Sequence, residues 1–183
     1  MRSQIAAVAL IVLSLSLANG TAKAASMEQV TKAIIEKTDL TSLNDLEESV
    51  RNEVICTALT QYHEARGSSE ADLKAVGFST RNRVRADIKH SFCKIIWEKG
   101  QYVWTKRPVS GIIPKEKSAW NRVLLLAREI VTNEDLDDPT HGADSFYLRK
   151  IHTPAWVHRS PFRLPIGAHI YVKMRGAFQQ AAK

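Results

Sequence analysis

The sequence has no internal repeat and no composition break marking a second domain, so its 183 residues read as one folded unit. It has only two cysteines, Cys56 and Cys93, so at most one intramolecular disulfide can form. Its longest apolar run, Ile5 to Leu17, is too short to span a bilayer comfortably as a permanent helix. Acidic residues are in deficit: 19 Asp and Glu against 26 Lys and Arg leave a net charge of +7. By charge, nucleic acid, anionic lipid and a bacterial wall all qualify as partners. Basic residues such as Arg81, Arg83, Arg85 and Lys89 are scattered rather than gathered into a run with interleaved aromatics, which argues against nucleic acid.

The N-terminus carries a more specific message. Arg2 precedes the apolar run, and Asn19, Gly20 and Ala22-Lys23-Ala24 follow it, the grammar of a secretory signal (residues 1–24) cleaved after Ala24. An uncleaved anchor is the alternative. Export would place Cys56 and Cys93 in an oxidising compartment, where they form one disulfide or remain two buried thiols. Residues 25–41 read as a lead-in, helical or flexible, and 42–183 as a single domain; a hydrophobic content of 44% is enough for its core.

Helical periodicity dominates that domain. Leu43, Leu46, Val50, Val54, Ala58, Tyr62 and Ala65 recur at three- and four-residue steps and predict one helix, capped by Ser42 and stopped by a left-handed Gly67. Ser69 and Asp72 form a capping-box pair for a second helix burying Leu73, Val76, Thr80 and Val84. A short helix over Phe92 to Trp97 ends at Gly100, and Gln101 to Trp104 has the content of a brief extended segment. Pro108, Gly111 and Pro114 punctuate a loop, after which Trp120, Val123, Leu124, Ala127, Ile130 and Val131 mark a long core-facing helix. Ser145 to Arg149 and His169 to Met174 read as an antiparallel strand pair, with Pro154, Pro161 and Pro165 leaving an exposed loop between them. The expected class is α+β, mainly α-helical, with a small antiparallel strand pair near the C-terminus.

Chemistry concentrates in Tyr62-His63-Glu64-Ala65-Arg66-Gly67, at the end of the first long helix. Partial negative charge at a helix C-terminus opposes an ionised Glu64 and favours the neutral carboxyl that a general acid requires. By spacing, Glu64 shares a face with Glu53, Thr57 and Thr60 that meets water or a cleft; a solvated carboxylate paired with Arg66 is the plainer alternative. His63-Glu64 begins the zinc motif H-E-x-x-H, but Gly67 stands where the second histidine belongs, leaving His63 a packing or cleft residue. His141, His152, His158 and His169 match no ligand spacing, and Glu134, Asp135, Asp137 and Asp138 lack the order of an EF-hand loop, so no metal or organic cofactor is implied. Gln101, Tyr102 and Trp104 offer amide and aromatic surfaces that hold a sugar or, for the two rings, pack a core.

Several pieces agree in order along the chain with one known family. They are Ala58-Leu59-Thr60-Gln61-Tyr62-His63-Glu64-Ala65-Arg66-Gly67, Lys74-Ala75-Val76, Asn82-Arg83-Val84, Gln101-Tyr102 with Trp104, Gly142-Ala143, Pro154-Ala155-Trp156, and Ile166-Gly167 with His169 and Tyr171. The ordered set resembles the SleB-type cell-wall hydrolases, which include spore-cortex lytic enzymes and related bacterial and phage proteins. The resemblance implies a lysozyme-like, mainly helical domain with a substrate groove and cleavage of the peptidoglycan glycan strand after N-acetylmuramic acid. It implies Glu64 as the catalytic acid and substrate contacts from Gln101, Tyr102, Trp104, Tyr147 and His169. In a lytic transglycosylase one carboxyl acts as acid and then as base while the muramic acid C6 hydroxyl closes a 1,6-anhydro ring. Retaining and inverting hydrolases instead use two carboxyl groups.

The chain departs from the family pattern after Ala143, where Thr-His-Tyr-His is common and Asp144-Ser145-Phe146-Tyr147 stands here. Ser68 replaces a frequent Glu, and Ala168 the usual Asn before His169. Asp144 as a second carboxylate would activate water and make the enzyme a hydrolytic muramidase. A zinc-dependent peptidoglycan amidase built on the loop histidines and a silent wall-binding module are the remaining readings. The expected protein is an exported monomer of the periplasm or outer wall, acting on peptidoglycan, with no nucleic-acid partner and no stable membrane anchor once the signal is removed.

Overall fold

A computed structural model describes residues 24–87 and 90–174; of the segment read as a signal, only Ala24 falls within them. The helices are α1 Met27–Lys37, α2 Glu48–Ala65, α3 Glu70–Ala86, α4 Phe92–Trp97, α5 Val109–Ile112 and α6 Lys117–Thr132. The strands are β1 Ser145–Leu148, β2 Leu164–Ile166 and β3 His169–Val172. The protein is thus mainly helical with a small antiparallel sheet near the C-terminus, the class its periodicity predicts.

The core is built around α2, which α6, α3, α4 and α1 contact from different sides. Every residue from Val54 to Tyr62 is buried, so the face expected to meet water is packed over most of its length. Its polar members fit through hydrogen bonds made within the helix and to α3. The Thr57 and Thr60 hydroxyls donate one turn back to the Glu53 and Cys56 carbonyls (2.9 and 3.1 Å), and the Gln61 amide reaches the Leu73 carbonyl at 2.9 Å. Glu53 and Glu64, towards the two ends of that face, stay half-buried.

Both expected ends of this helix need correction. Ser42 is not its cap: Thr41–Leu43 forms a separate 3-10 turn, held by the Asp39 carboxylate on the Thr41 N–H and hydroxyl (3.0 and 2.6 Å). Arg128 donates to the Ser42 carbonyl and the Asp45 carboxylate, and α2 begins only at Glu48. Leu43 is buried in the turn, so apolar spacing continued past the true helix boundary. At the other end Gly67 is not left-handed, since positive φ among the described glycines belongs to Gly100, Gly142 and Gly167. The chain leaves α2 through a right-handed Arg66 and enters α3 almost at once, with the Ser68 N–H on the Ala65 carbonyl at 2.8 Å.

Ser69 caps α3 as expected, accepting from the Asp72 N–H at 3.3 Å, and Trp120, Val123, Leu124, Ala127 and Ile130 of α6 are buried. The lead-in is helical, with Ser26 and Gln29 forming a capping box for α1. Gln101 to Trp104 is not extended. Val103 has helical dihedrals and Trp104–Lys106 is a 3-10 turn, which swings the Trp104 ring into the core and leaves Val103 exposed.

The expected strand pair is joined by a third strand: the order is β1-β3-β2, both pairings antiparallel. Pro165 sits in β2, where a three-residue edge strand tolerates the missing donor. Phe146 pairs with Tyr171, and Leu148 and Ile166 both pair with His169. Cys56 and Cys93 form a disulfide between α2 and α4, with Cα atoms 5.3 Å apart. The bridge closes a loop of sequence separation 37, and reduction is expected to cost about 4 kcal/mol by chain entropy. Denaturant titration with and without reductant measures this.

Candidate active site

Glu64 occupies the last turn of α2, half-buried, and its carboxyl makes no hydrogen bond or ion pair among the described residues. Arg66, the partner in the plainer reading, points elsewhere: its Nε meets Glu116 at 2.9 Å and its guanidinium lies 5.1 Å from the Tyr62 ring centre. Burial raises the Glu64 pKa above the ordinary carboxylate value, while the electrostatic influence of His169 and then Arg107 opposes it. The outcome is a carboxyl biased towards its protonated form, the state that donates a proton.

One flank of the site is aromatic. The His63 Nε2–H donates to the Ile112 carbonyl at 2.9 Å, and its ring stacks on Trp104 with centroids 4.8 Å apart. Burial lowers the His63 pKa to about 4, so the imidazole is neutral and packs. Trp104 lies 6.0 Å from Tyr102, whose hydroxyl meets that of Thr80 at 3.4 Å. Arg83 lies over the Tyr102 ring, donates to the Gln101 amide oxygen at 2.8 Å and binds the Asp144 carbonyl. Tyr102 and Trp104 are buried, so they brace this flank, whereas Gln101 is half-exposed.

The other flank is a buried polar knot. Asp72 and His169 are both buried, and the His169 Nδ1 sits 3.0 Å from each Asp72 carboxylate oxygen. The same carboxylate accepts from the Ala168 N–H at 2.9 Å and the Tyr171 hydroxyl at 2.7 Å. Burial alone would raise its pKa, but the bonds from His169, Tyr171 and Ala168 outweigh that and hold it below the ordinary aspartate value. Gly167 makes the approach possible: at φ +54°, a Cβ there would stand 2.6–2.7 Å from Asp72. The carboxylate therefore faces the β2–β3 turn, and only the Ser69 half of the expected capping box forms.

Two expected site residues lie apart. Tyr147 is on the opposite face of the sheet from His169 and Tyr171, buried with Val157 and Val172 and edge-on to Trp156. The Asp144 carboxylate accepts from the Ser145 hydroxyl and the Met174 N–H, both at 2.9 Å. Its N–H binds the Val172 carbonyl, about 10 Å along β3 from His169. Among the described residues no three His, Cys, Asp or Glu side chains converge to hold a metal ion. A groove of about 330 Å³ between α1, α2 and α4 is lined on α2 by Glu48 and Asn52, the nearer of which lies about 18 Å along the helix from Glu64.

A family model described as Cell Wall Hydrolase matches residues 67–172, more than half of the chain. The chain belongs to this family of cell wall hydrolases. No curated protein and no solved structure matches it. The family match covers the Asp72 knot, the Gln101–Trp104 turn and the sheet, and it begins three residues after Glu64. Two residues of this cell wall hydrolase escaped sequence reasoning. Asp72 read as a helix cap because position and type suited one, and only the fold shows its carboxylate turned towards β3. Arg107 lies in an irregular segment before Pro108, where no periodicity or spacing singles it out.

Proposed function

We propose that this peptidoglycan hydrolase cuts the glycan strand after N-acetylmuramic acid as a lytic transglycosylase, with Glu64 as its single acid and base. The observation that carries the proposal is a half-buried carboxyl on the last turn of the central helix, unpaired among the described residues and biased towards protonation by burial. Protonated Glu64 donates to the glycosidic oxygen as the C1–O bond breaks, and the leaving sugar departs with a free hydroxyl. The carboxylate then takes the proton of the muramic acid C6 hydroxyl as that oxygen bonds to C1, giving the 1,6-anhydro end and restoring the acid. Engagement of the Asp144 carboxylate by Ser145 and Met174 supports the single-carboxyl route over a muramidase with a second carboxylate. The signal grammar of residues 1–24 supports action outside the cytoplasm.

Mass analysis of digest products tests the reaction. Anhydro ends, lighter by one water than reducing ends, are expected to predominate, and a predominance of reducing ends overturns the assignment. A second measurement tests the acid. Arg107 lowers the Glu64 pKa, so Arg107→Met raises it and moves the basic limb of kcat/KM to higher pH. A limb that stays put or moves down counts against Glu64 as the titrating group.

A further inference from the structure

Residues 104 to 112 are fixed to the last turn of α2 at both ends, and through one side chain. The Trp104 ring stacks on His63 with centroids 4.8 Å apart, and the Ile112 carbonyl accepts from His63 Nε2 at 2.9 Å. Arg107 lies between these two anchors. Its N–H donates to the Trp104 carbonyl and its carbonyl accepts from the Ala25 N–H, both at 3.1 Å. Its aliphatic stem packs against Gly111, where a Cβ would stand 3.3 Å from the Arg107 Cβ and 3.6 Å from its Cδ. Backbone and stem are held, yet the residue is exposed.

The guanidinium of Arg107 has no acidic partner and no hydrogen bond among the described residues. Other arginines around the site are engaged: Arg66 by Glu116, and Arg83 by the Gln101 amide and the Asp144 carbonyl. Burial dominates the pKa of both His63 and Glu64, but the field of Arg107 reaches each of them. In the free protein this cation therefore works against the protonated acid. An anion brought by the substrate would neutralise it and remove that opposition.

Of the two sugars of the glycan strand, N-acetylglucosamine has no carboxylate. Muramic acid bears a lactyl group, which ends in a carboxylate or is extended by a stem peptide with carboxylates of its own. When Glu64 protonates the oxygen on muramic acid C1, that sugar and its lactyl substituent are held beside the acid and the neighbouring cation. A strand shifted by one sugar would put neutral N-acetylglucosamine there instead.

We propose that Arg107 is a specificity-determining residue, which binds a carboxylate carried by muramic acid, on its lactyl group or its stem peptide, and so selects the linkage that follows this sugar. The inference rests on the reading of Glu64 as the acid that cuts after muramic acid. A guanidinium suits the task because its planar donors match both oxygens of a carboxylate.

Calorimetric titration of the Glu64→Gln protein, in which cleavage is suppressed, tests this through binding alone. The ligands are three forms of the glucosamine–muramic acid tetrasaccharide: lactyl groups free, lactyl groups capped as neutral methylamides, and lactyl groups carrying stem peptides. At least one charged form should bind about tenfold tighter than the methylamide at low salt, and which one does so identifies the source of the carboxylate. Adding Arg107→Met, which keeps an unbranched stem against Gly111, should abolish the excess. Arg107→Lys keeps the charge without the planar fork and should retain part of it. Equal affinity for all three ligands, measurable affinity for none, or an excess that survives Arg107→Met would each overturn the proposal. Product ends test the reaction separately: anhydro ends with equal binding remove only the role of Arg107, and reducing ends with the excess intact remove only the transglycosylase route.

Discussion

Glu64→Gln is expected to abolish clearing in a peptidoglycan zymogram, with kcat/KM reduced about 10²–10⁴-fold, the usual contribution of a positioned general acid. Clearing equal to the wild type would remove Glu64 as the catalyst. The same substitution has a stability signature that mere unfolding would not give. The carboxyl pKa is higher in the folded protein than in the unfolded chain, because burial penalises the charge. Protonated Glu64 is therefore tolerated, and the penalty appears as pH rises through the folded pKa. The variant should melt above the wild type at neutral pH, and the two should converge below the ordinary carboxylate range. An inactive variant that melts higher at neutral pH separates loss of chemistry from loss of fold.

Asp72→Ala is expected to destabilise the protein by about 3–5 kcal/mol, the scale for removing one partner from a buried charged network. The loss strands the buried His169 ring, frees the Ala168 N–H and leaves the Tyr171 hydroxyl only the Asp72 backbone carbonyl at 3.1 Å. It also severs a link between α3 and the β2–β3 turn, so the position of His169 beside Glu64 should loosen and activity should fall with stability. The pH dependence has a definite sign. The folded-state pKa of Asp72 is held below its unfolded value, so its contribution is present above the ordinary aspartate range and disappears as pH falls through the folded pKa. Urea titrations across that range should show a steeper acid loss in the wild type than in the variant. A cost under about 1 kcal/mol would mean that the knot does not hold the hairpin.

The α6 helix was legible because one face alone is buried: of the residues read as core-facing, Trp120, Val123, Leu124, Ala127 and Ile130 are buried and Val131 half-buried. The central α2 was harder to read, because a helix enclosed on several sides buries threonine and glutamine as well as its apolar stripe. Periodicity also missed the break between Leu43 and Glu48: a turn preserves three- and four-residue spacing without preserving the helix. The three-residue β2 escaped for a related reason, being too short to alternate and carrying a proline that only its edge position permits.

The sequence by itself determined the mainly helical class, the family resemblance and the suitability of Glu64, because helix signals and ordered motifs are local properties of the chain. Tertiary structure alone decided what surrounds that carboxyl. It turned Arg66 away to Glu116, buried Tyr102 and Trp104 behind His63, and put Tyr147 on the far face of the sheet. It also joined Asp72 to His169 across 97 positions of sequence. Burial and electrostatic influence depend on which segments meet in space, and no local spacing rule encodes a meeting of α2, α3 and β3.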